Sequence, residues 1–389
     1  MKLEIPESYF QEEEREGFLV SVEMKRCWAA EMKMLLQVGE VLDRHGLKWY
    51  ADCGTLLGAV RHHGFVPWDD DIDIIMPRSD YQKAWAFLRE ELPDHFDVQC
   101  SQLDNTYKDP WGCVVNRKDT FSNDKESAAI TAAYFGSDYK HVIDIYALDY
   151  VSPDGEERSA LSALYSMLHE LIFKYDAWIR WDLTSQVAQT VEEATGTTLP
   201  REPDALRTAL WNLHDALSSM YTREDAGGVD ILYFWATTGR RPRPVHAYDD
   251  HVLLPFEMIE IPVPAGYDEV LRVSYGNNWS SPVKSGGAHN YPYFASEKNE
   301  IQNALCERII DEVQGLESDG RMDEAKEMLS EAIDQFPDRY PLHYLMACAT
   351  VETDPVSAKR SLENALKYCD DEGFRATISH ELEKFASVN

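Results

Sequence analysis

The stretch PWDDDIDIIM, residues 67–76, sets aspartates at 69, 70, 71 and 73 and then runs straight into apolar chain. Carboxylates this close repel one another, so the run is costly unless a cation shares it. Side chains on a strand alternate between faces. Asp69, Asp71 and Asp73 therefore share one face, while Ile72, Ile74 and Met76 turn the other way and enter a core. Carboxylates two apart on a strand sit about 6 to 7 Å apart at the backbone, so their oxygens converge on one cation or a close pair. Hard divalent ions such as Mg²⁺ or Mn²⁺ take oxygen ligands and suit phosphate chemistry. A solvated acidic loop or a set of turn caps is the rival, and the i, i+2 pattern inside an apolar strand weighs against it. An EF-hand loop lacks its glycine and its distant glutamate.

A metal on two carboxylates usually wants a third. In HVIDIYALDYV, residues 141–151, Asp144 stands alone between Ile143 and Ile145. A lone buried aspartate costs several kcal/mol unless it is paired or ligates a cation. Asp149 competes for that place, but lies nearer the strand end and is expected to cap the turn into SPDG. Upstream, in ADCGTLLGAVRHHGFVPW, Gly54 and Thr55 end a strand and open a helix, where backbone N–H groups face a phosphate. Arg61 either clamps a phosphate bidentately or pairs with one of the aspartates. His62 and His63 read as loop residues rather than ligands, and Trp68 either stacks a base or covers the turn. Asp69 is expected to orient the ligands from outside, and Asp70 to face away as a structural residue.

These residues need a scaffold. Residues 18–46 carry helical apolar spacing (Val22, Trp28, Met32, Leu35, Leu42) and stop near Gly46. LKWYADCG, DIDIIMP, FDVQC, WGCVVNRK and HVIDIYALDYV read as strands, and RSDYQKAWAFLREEL as a helix capped by Ser79 or Asp80. An α/β or α+β sheet domain follows. Residues 155–235 read as helical, strand and turn signals return by residue 245, and VKSGGAHNYPYF reads as a loop. In the tail, EAKEMLSEAIDQFPD and SAKRSLENALKYCDD superpose at a shift of 33, matching Ala325 to Ala358, Leu329 to Leu362 and Ala332 to Ala365. Small residues at helix crossings with this period resemble tetratricopeptide repeats; the alternative is a plain helical tail.

The 389 residues carry 69 acids against 37 bases, a net charge of -32, which argues against nucleic acid or an anionic membrane surface as partner. A bound cation reverses the sign locally, so an anionic substrate stays open. Seven scattered cysteines, with no CxxC pair, argue for a reducing compartment rather than a disulfide framework. The N-terminus lacks a signal-peptide pattern and no run is long enough to span a bilayer, so a cytoplasmic location is expected, with a peripheral position at the inner membrane face as the variant.

CGTLLGAVRHHGFVPWDDDIDIIMPRSDY resembles the signature of the LicD family, phosphocholine transferases that include the fukutin-related proteins. NRKDT (116–120), VIDIYALDYV and VPAGYDEVLRVSYGNNWSSP resemble its later elements. The resemblance implies a nucleotidyltransferase-like mixed sheet domain over residues 18–298, with 155–235 as a helical insertion and 301–389 as the repeat-like helical domain. Gly54 and Thr55 then take the family's turn, Asp71 and Asp73 its metal-binding pair, and Asp144 the third carboxylate. Arg61 and Arg117 fall near the substrate phosphates, with Trp68 beside them. The implied reaction moves phosphocholine, or ribitol phosphate as in relatives, from a CDP-alcohol such as CDP-choline to a glycan or lipid-linked glycan hydroxyl. CMP leaves, Mg²⁺ or Mn²⁺ assists, and Asp144 or one of the pair takes the hydroxyl proton. Cell-surface polysaccharide or teichoic acid synthesis is the implied setting. Choline calls for an aromatic box, for which Trp111, Tyr146, Tyr275, Trp279, Tyr291 and Tyr293 are candidates. Two other readings stand: a nucleotidyltransferase acting on a nucleoside triphosphate, and an interaction protein whose repeat-like tail engages a protein partner beside a vestigial catalytic domain. The intact Asp71, Asp73 and Asp144 weigh against the last.

Overall fold

The computed structural model describes residues 3–117, 125–283, 295–369 and 371–385. The chain divides into two compact units, Met1–Phe294 and Ala295–Asn389.

In the first unit a short hairpin, β1 (Glu13–Arg15) and β2 (Phe18–Val20), leads into α1 (Val22–Arg44). Ser21 caps α1 by accepting the Met24 N–H at 3.2 Å, and Gly46, at φ +65°, turns the chain away after it. Met24, Trp28, Glu31, Leu35, Val38 and Leu42 recur every three or four residues and all are buried, so a glutamate lies within an otherwise apolar stripe.

β3 (Tyr50–Ala51) is cut short because Cys53, at φ +46°, swings the chain into α2 (Cys53–Arg61). A loop follows, then β4 (Ile72–Pro77), which passes without a break into α3 (Arg78–Glu91). The expected cap from Ser79 or Asp80 is not used. Pro77, at φ -52°, delivers the strand directly into the helix, and Asp80 instead accepts the Lys48 N–H at 3.1 Å. β5 (Asp97–Gln99), β6 (Gly112–Val115), α4 (Lys125–Ala133) and the ten-residue β7 (Val142–Val151) complete the core. The sheet order is β3-β4-β7-β6-β5. The β4–β7 pair is parallel and the others antiparallel, which makes the mixed α/β architecture that the sequence suggested. Ile72, Ile74, Ile75 and Met76 are all fully buried, as are Ile143 and Ile145. A strand covered on both faces reads as a continuous apolar run, and an acid within it therefore stands out.

The helical stretch comprises α5 (Gly155–Phe173), α6 (Tyr175–Arg180), α7 (Thr184–Thr195) and α8 (Pro203–Ser218), packed around Leu161, Tyr165, Leu168, Ile172, Leu206 and Leu210. It is interrupted by β8 (Gly228–Asp230), an unexpected strand that pairs with the end of β7, before α9 (Leu232–Thr238). The hairpin β9 (His251–Phe256) and β10 (Ile259–Pro264) then precedes α10 (Tyr267–Tyr275). Glu257 at the hairpin tip clasps the loop after α2: its N–H donates to the His63 carbonyl at 2.8 Å, and its carboxylate accepts from the Phe65 N–H and Arg15. A Cβ on Gly64 would come within 2.2 Å of that carboxylate, so glycine is what lets the hairpin approach.

The second unit consists of α11 (Ala295–Ser318), α12 (Met322–Gln335), α13 (Tyr340–Thr350), α14 (Pro355–Tyr368) and α15 (Glu372–Phe385). Ala325, Leu329 and Ala332 on α12, and Ala358, Leu362 and Ala365 on α14, are all buried. The expected loop VKSGGAHNYPYF lies outside the described residues beyond Val283.

Candidate active site

The β4–β7 register sets Asp73 directly beside Asp144, with Cys113 of β6 on Asp144's other side. Neighbouring residues in register project to the same face, so two aspartates share one patch of the sheet. Asp73 is buried at 7% exposure, whereas Asp144 is half-buried. The Asp73 backbone is fixed from both sides. Its N–H donates to Thr55 Oγ1 at 2.8 Å, and its carbonyl accepts the Asp52 N–H at 3.1 Å.

Residues 69–71 are irregular and precede the strand, so alternation does not set their directions. The turn brings the carboxylates of Asp69, Asp70 and Asp71 together, with one oxygen of each within 4.8 Å of the others. Asp70, expected to face away, is a buried member of this group. Burial and then the charges of Asp71, Asp144, Asp69 and Asp52 push the Asp73 carboxyl well above the usual carboxylate range. Glu31 of α1 feels the same charges. It is 2% exposed and pushed well up by burial and then by Asp70, Asp71 and Asp69, while its Oε1 lies 3.4 Å from His141 Nδ1. That glutamate went unnoticed in the sequence, although its signal was an acid on the apolar stripe of α1. The donors gathered here are carboxylate oxygens, the set a hard divalent cation takes.

Gly54 and Thr55 do lie at the head of α2. A Cβ on Gly54 would come within 2.0 Å of Asp69 Oδ2, so this glycine admits the Asp69 carboxylate. Thr55 is buried and spends its oxygen on the Asp73 N–H. Trp68 packs edge-on against Phe18, 6.3 Å between rings. Arg61 donates to the Trp279 carbonyl at 3.0 Å and to His62 Nε2 at 2.8 Å, and among the described residues it pairs with no aspartate. Arg117 is buried and donates to Thr131 Oγ1 at 3.2 Å and the Asp138 carbonyl at 3.5 Å. The remainder of NRKDT, residues 118–120, lies outside the described residues. Asp149 caps no turn: it is buried and takes both arms of Arg78, each at 2.6 Å. The cap before α5 is Asp154, which accepts the Glu156 and Glu157 N–H groups.

Trp111 and Tyr146 meet at 5.3 Å, and two residues that the sequence did not single out, Tyr233 and Phe234 of α9, pack against Trp111 at 5.4 and 6.2 Å. Phe234 also lies 5.6 Å from Tyr146. Tyr146 follows Asp144 by two positions on β7, on the same face. Burial and then the charges of Asp73 and Asp144 push its phenol well up. Tyr275 is 44% exposed, and its phenol is raised by burial and then by Cys53, Asp69 and Asp73. Trp279 donates its indole N–H to Asp268 at 3.2 Å. Tyr291 and Tyr293 lie outside the described residues.

A second polar network stands beside the first. Arg243, fully buried, donates to Asp52 Oδ2 at 2.6 Å and the Tyr248 hydroxyl at 2.8 Å, and its Nε lies 3.5 Å from Asp230. Arg240 grips both oxygens of Asp230, Oδ2 through Nε at 3.0 Å and Oδ1 through Nη2. A buried ion pair in a network like this resists the loss of either partner. It fixes Asp52, and so the head of α2, to β8.

Residues 46–128 match the family model described as LicD/FKTN/FKRP, nucleotidyltransferase domain. Over 60 residues the chain is 38% identical to the lipopolysaccharide cholinephosphotransferase LicD of Haemophilus influenzae, covering 15% of this chain and 23% of that protein. An uncharacterized protein of Rickettsia typhi is 39% identical over 70 residues, covering 16% and 23% of the two chains. One of Rickettsia prowazekii is 45% identical over 42 residues, covering 11% and 16%. The chain thus spans less than a quarter of the length of these relatives. The Asp69–Asp73 run, the head of α2 and the start of α3 all fall inside the matched segment, so the residues of this cluster lie where the chain is similar to the LicD/FKTN/FKRP nucleotidyltransferase domain.

Proposed function

We propose that this protein transfers phosphocholine, or a closely related phospho-alcohol, from a CDP-alcohol to a glycan hydroxyl and releases CMP. The observation that carries the reading is the Asp73–Asp144 pair, held in register next to Asp71 and inside or beside the LicD-matching segment. The relative from Haemophilus influenzae is by name a lipopolysaccharide cholinephosphotransferase, which supports phosphocholine as the group moved and a cell-surface glycan as acceptor.

Asp71, Asp73 and Asp144 are assigned to hold Mg²⁺ or Mn²⁺; the crowding of negative charge around Asp73 fits a cation there. When bound, such an ion neutralises the donor diphosphate. Thr55 and Asp52 lock the Asp73 backbone, so the carboxylate is in place before substrate arrives. Asp144, the more exposed of the pair, accepts the proton of the acceptor hydroxyl. The hydroxyl oxygen bonds to the phosphorus bearing choline, the bond from that phosphorus to the CMP oxygen breaks, and CMP departs with the electron pair. Trp111, Tyr146, Tyr233 and Phe234 supply aromatic faces for a trimethylammonium group. No helix among the described residues is long and apolar enough to cross a membrane.

The test is incubation of the purified protein with Mg²⁺, an acceptor glycan and a panel of CDP-alcohols. CMP release, greatest with CDP-choline and lost in Asp71→Asn, is expected. Release from none of them, or pyrophosphate release from a nucleoside triphosphate instead, would overturn the reading.

A further inference from the structure

A donor diphosphate carries charge that the chain must meet with cations of its own, and among the described residues Arg61 and Arg117 spend their donors on Trp279, His62, Asp138 and Thr131. Arg240 is differently placed. Helix α9 ends at Gly239, whose φ of +65° folds the chain back so that the Arg240 guanidinium lies over the Phe234 ring, 6.0 Å from its centroid. Phe234 in turn lies 5.6 Å from Tyr146, which shares the Asp144 face of β7.

The grip on Arg240 is one-sided. Its Nε and Nη2 bind the two oxygens of Asp230, which is fully buried and held in register with Asp149 of β7. Nη1 makes no hydrogen bond among the described residues, and a fifth of the side chain stays open to solvent. A planar guanidinium clamped along one edge presents the other in a fixed direction, the geometry suited to a phosphate oxygen.

We propose that Arg240 is a phosphate-binding residue of the site, contacting the diphosphate of a nucleoside diphosphate-linked donor through its free edge, with Asp230 as the positioning residue that sets its angle. This deepens the transferase reading and rests on it for the identity of the donor. The ligand class is an organic diphosphate, and the aromatic wall of Phe234 and Tyr146 lies next to it.

The experiment titrates CDP into the full chain with Mg²⁺ present and measures turnover of CDP-choline in parallel. Arg240→Gln is expected to weaken CDP binding about tenfold to a hundredfold, the range for a lost charge-assisted hydrogen bond. The KM for CDP-choline should rise by a similar factor, with a smaller change in kcat, and Arg240→Lys should recover part of the loss. If Arg240→Gln lowers the melting temperature by leaving the buried Asp230 with Arg243 alone, the double variant Asp230→Asn/Arg240→Gln removes both charges together while Arg243 keeps Asp52. It should fold and bind CDP as weakly as the single variant. Wild-type CDP affinity in either folded variant, or no CDP binding by the wild type, overturns the proposal. Arg240-dependent CDP binding without CMP release from any CDP-alcohol would keep the phosphate site and discard the transferase reading. CMP release with a KM indifferent to Arg240 would do the reverse.

Discussion

Asp73 and Asp149 are both buried aspartates on adjacent strands of one sheet, and the chain treats them in opposite ways. Asp149 receives a bidentate Arg78, so its charge is balanced from within. Asp73 is ringed by Asp71, Asp144, Asp69 and Asp52, charges of its own sign. A sheet that meets one buried acid with an arginine did not lack the means to do so for the other. The difference separates an acid that holds the fold from the acid at which a divalent cation is proposed, carboxylate oxygens being the donors such a cation takes.

That contrast can be broken most severely at Asp73 itself. Asp73→Asn is expected to cut CMP release by about a thousandfold or more, as for loss of a group on which positioning and charge stabilisation depend, while the melting temperature holds or rises because like-charge repulsion is relieved. At Asp149 the outcome should invert: Asp149→Asn leaves the buried Arg78 with only the more exposed Asp215, 3.2 Å from its Nη1, and should destabilise the fold by about 3 kcal/mol, read by denaturant unfolding, with residual turnover wherever the protein stays folded. If both variants lost stability alike, the distinction between the two acids would fail.

Smaller effects sharpen the same point. Thr55→Val removes the oxygen that accepts the Asp73 N–H and should cost about 1 to 3 kcal/mol for the buried amide left unmatched, with turnover falling alongside. On the Asp149 side, His214 is held down to about 3 by burial and then by the charges of Arg78 and His169. Its folded pKa lies below the unfolded one, so the stability it contributes is complete above about pH 6.5 and is lost as pH falls from there towards 3. Melting curves of His214→Gln should be flatter than wild type over that acid range and indistinguishable in slope near pH 8.

How much of this was legible in the sequence follows from the range of each signal. Asp73 and Asp144 were readable because a lone acid inside an apolar strand carries its own context, and the parallel register then joined them. Asp70 was misread because strand alternation was extended into a turn, where dihedrals that sequence does not specify bring three successive carboxylates together. Glu31 escaped notice because one acid on an amphipathic helix is ordinary until the facing element is known. Tyr233, Phe234 and Arg240 sit more than 80 residues along the chain from Asp144 and Tyr146, the site residues they approach. No local pattern encodes that meeting. The strand β8, which brings them there, is three residues long in a helical setting. Asp149 was misassigned for a similar reason, since its partner Arg78 lies on α3.

The central claim concerns which half of the donor moves, and CDP-choline labelled separately in its choline methyls and its cytosine ring tests it directly. With Mg²⁺ and an acceptor glycan, the choline label should appear on the glycan while the cytosine label is recovered quantitatively as CMP, and Asp73→Asn should abolish both. Transfer of the cytosine label to the acceptor, or neither label moving while the protein is folded and loaded with Mg²⁺, would contradict it.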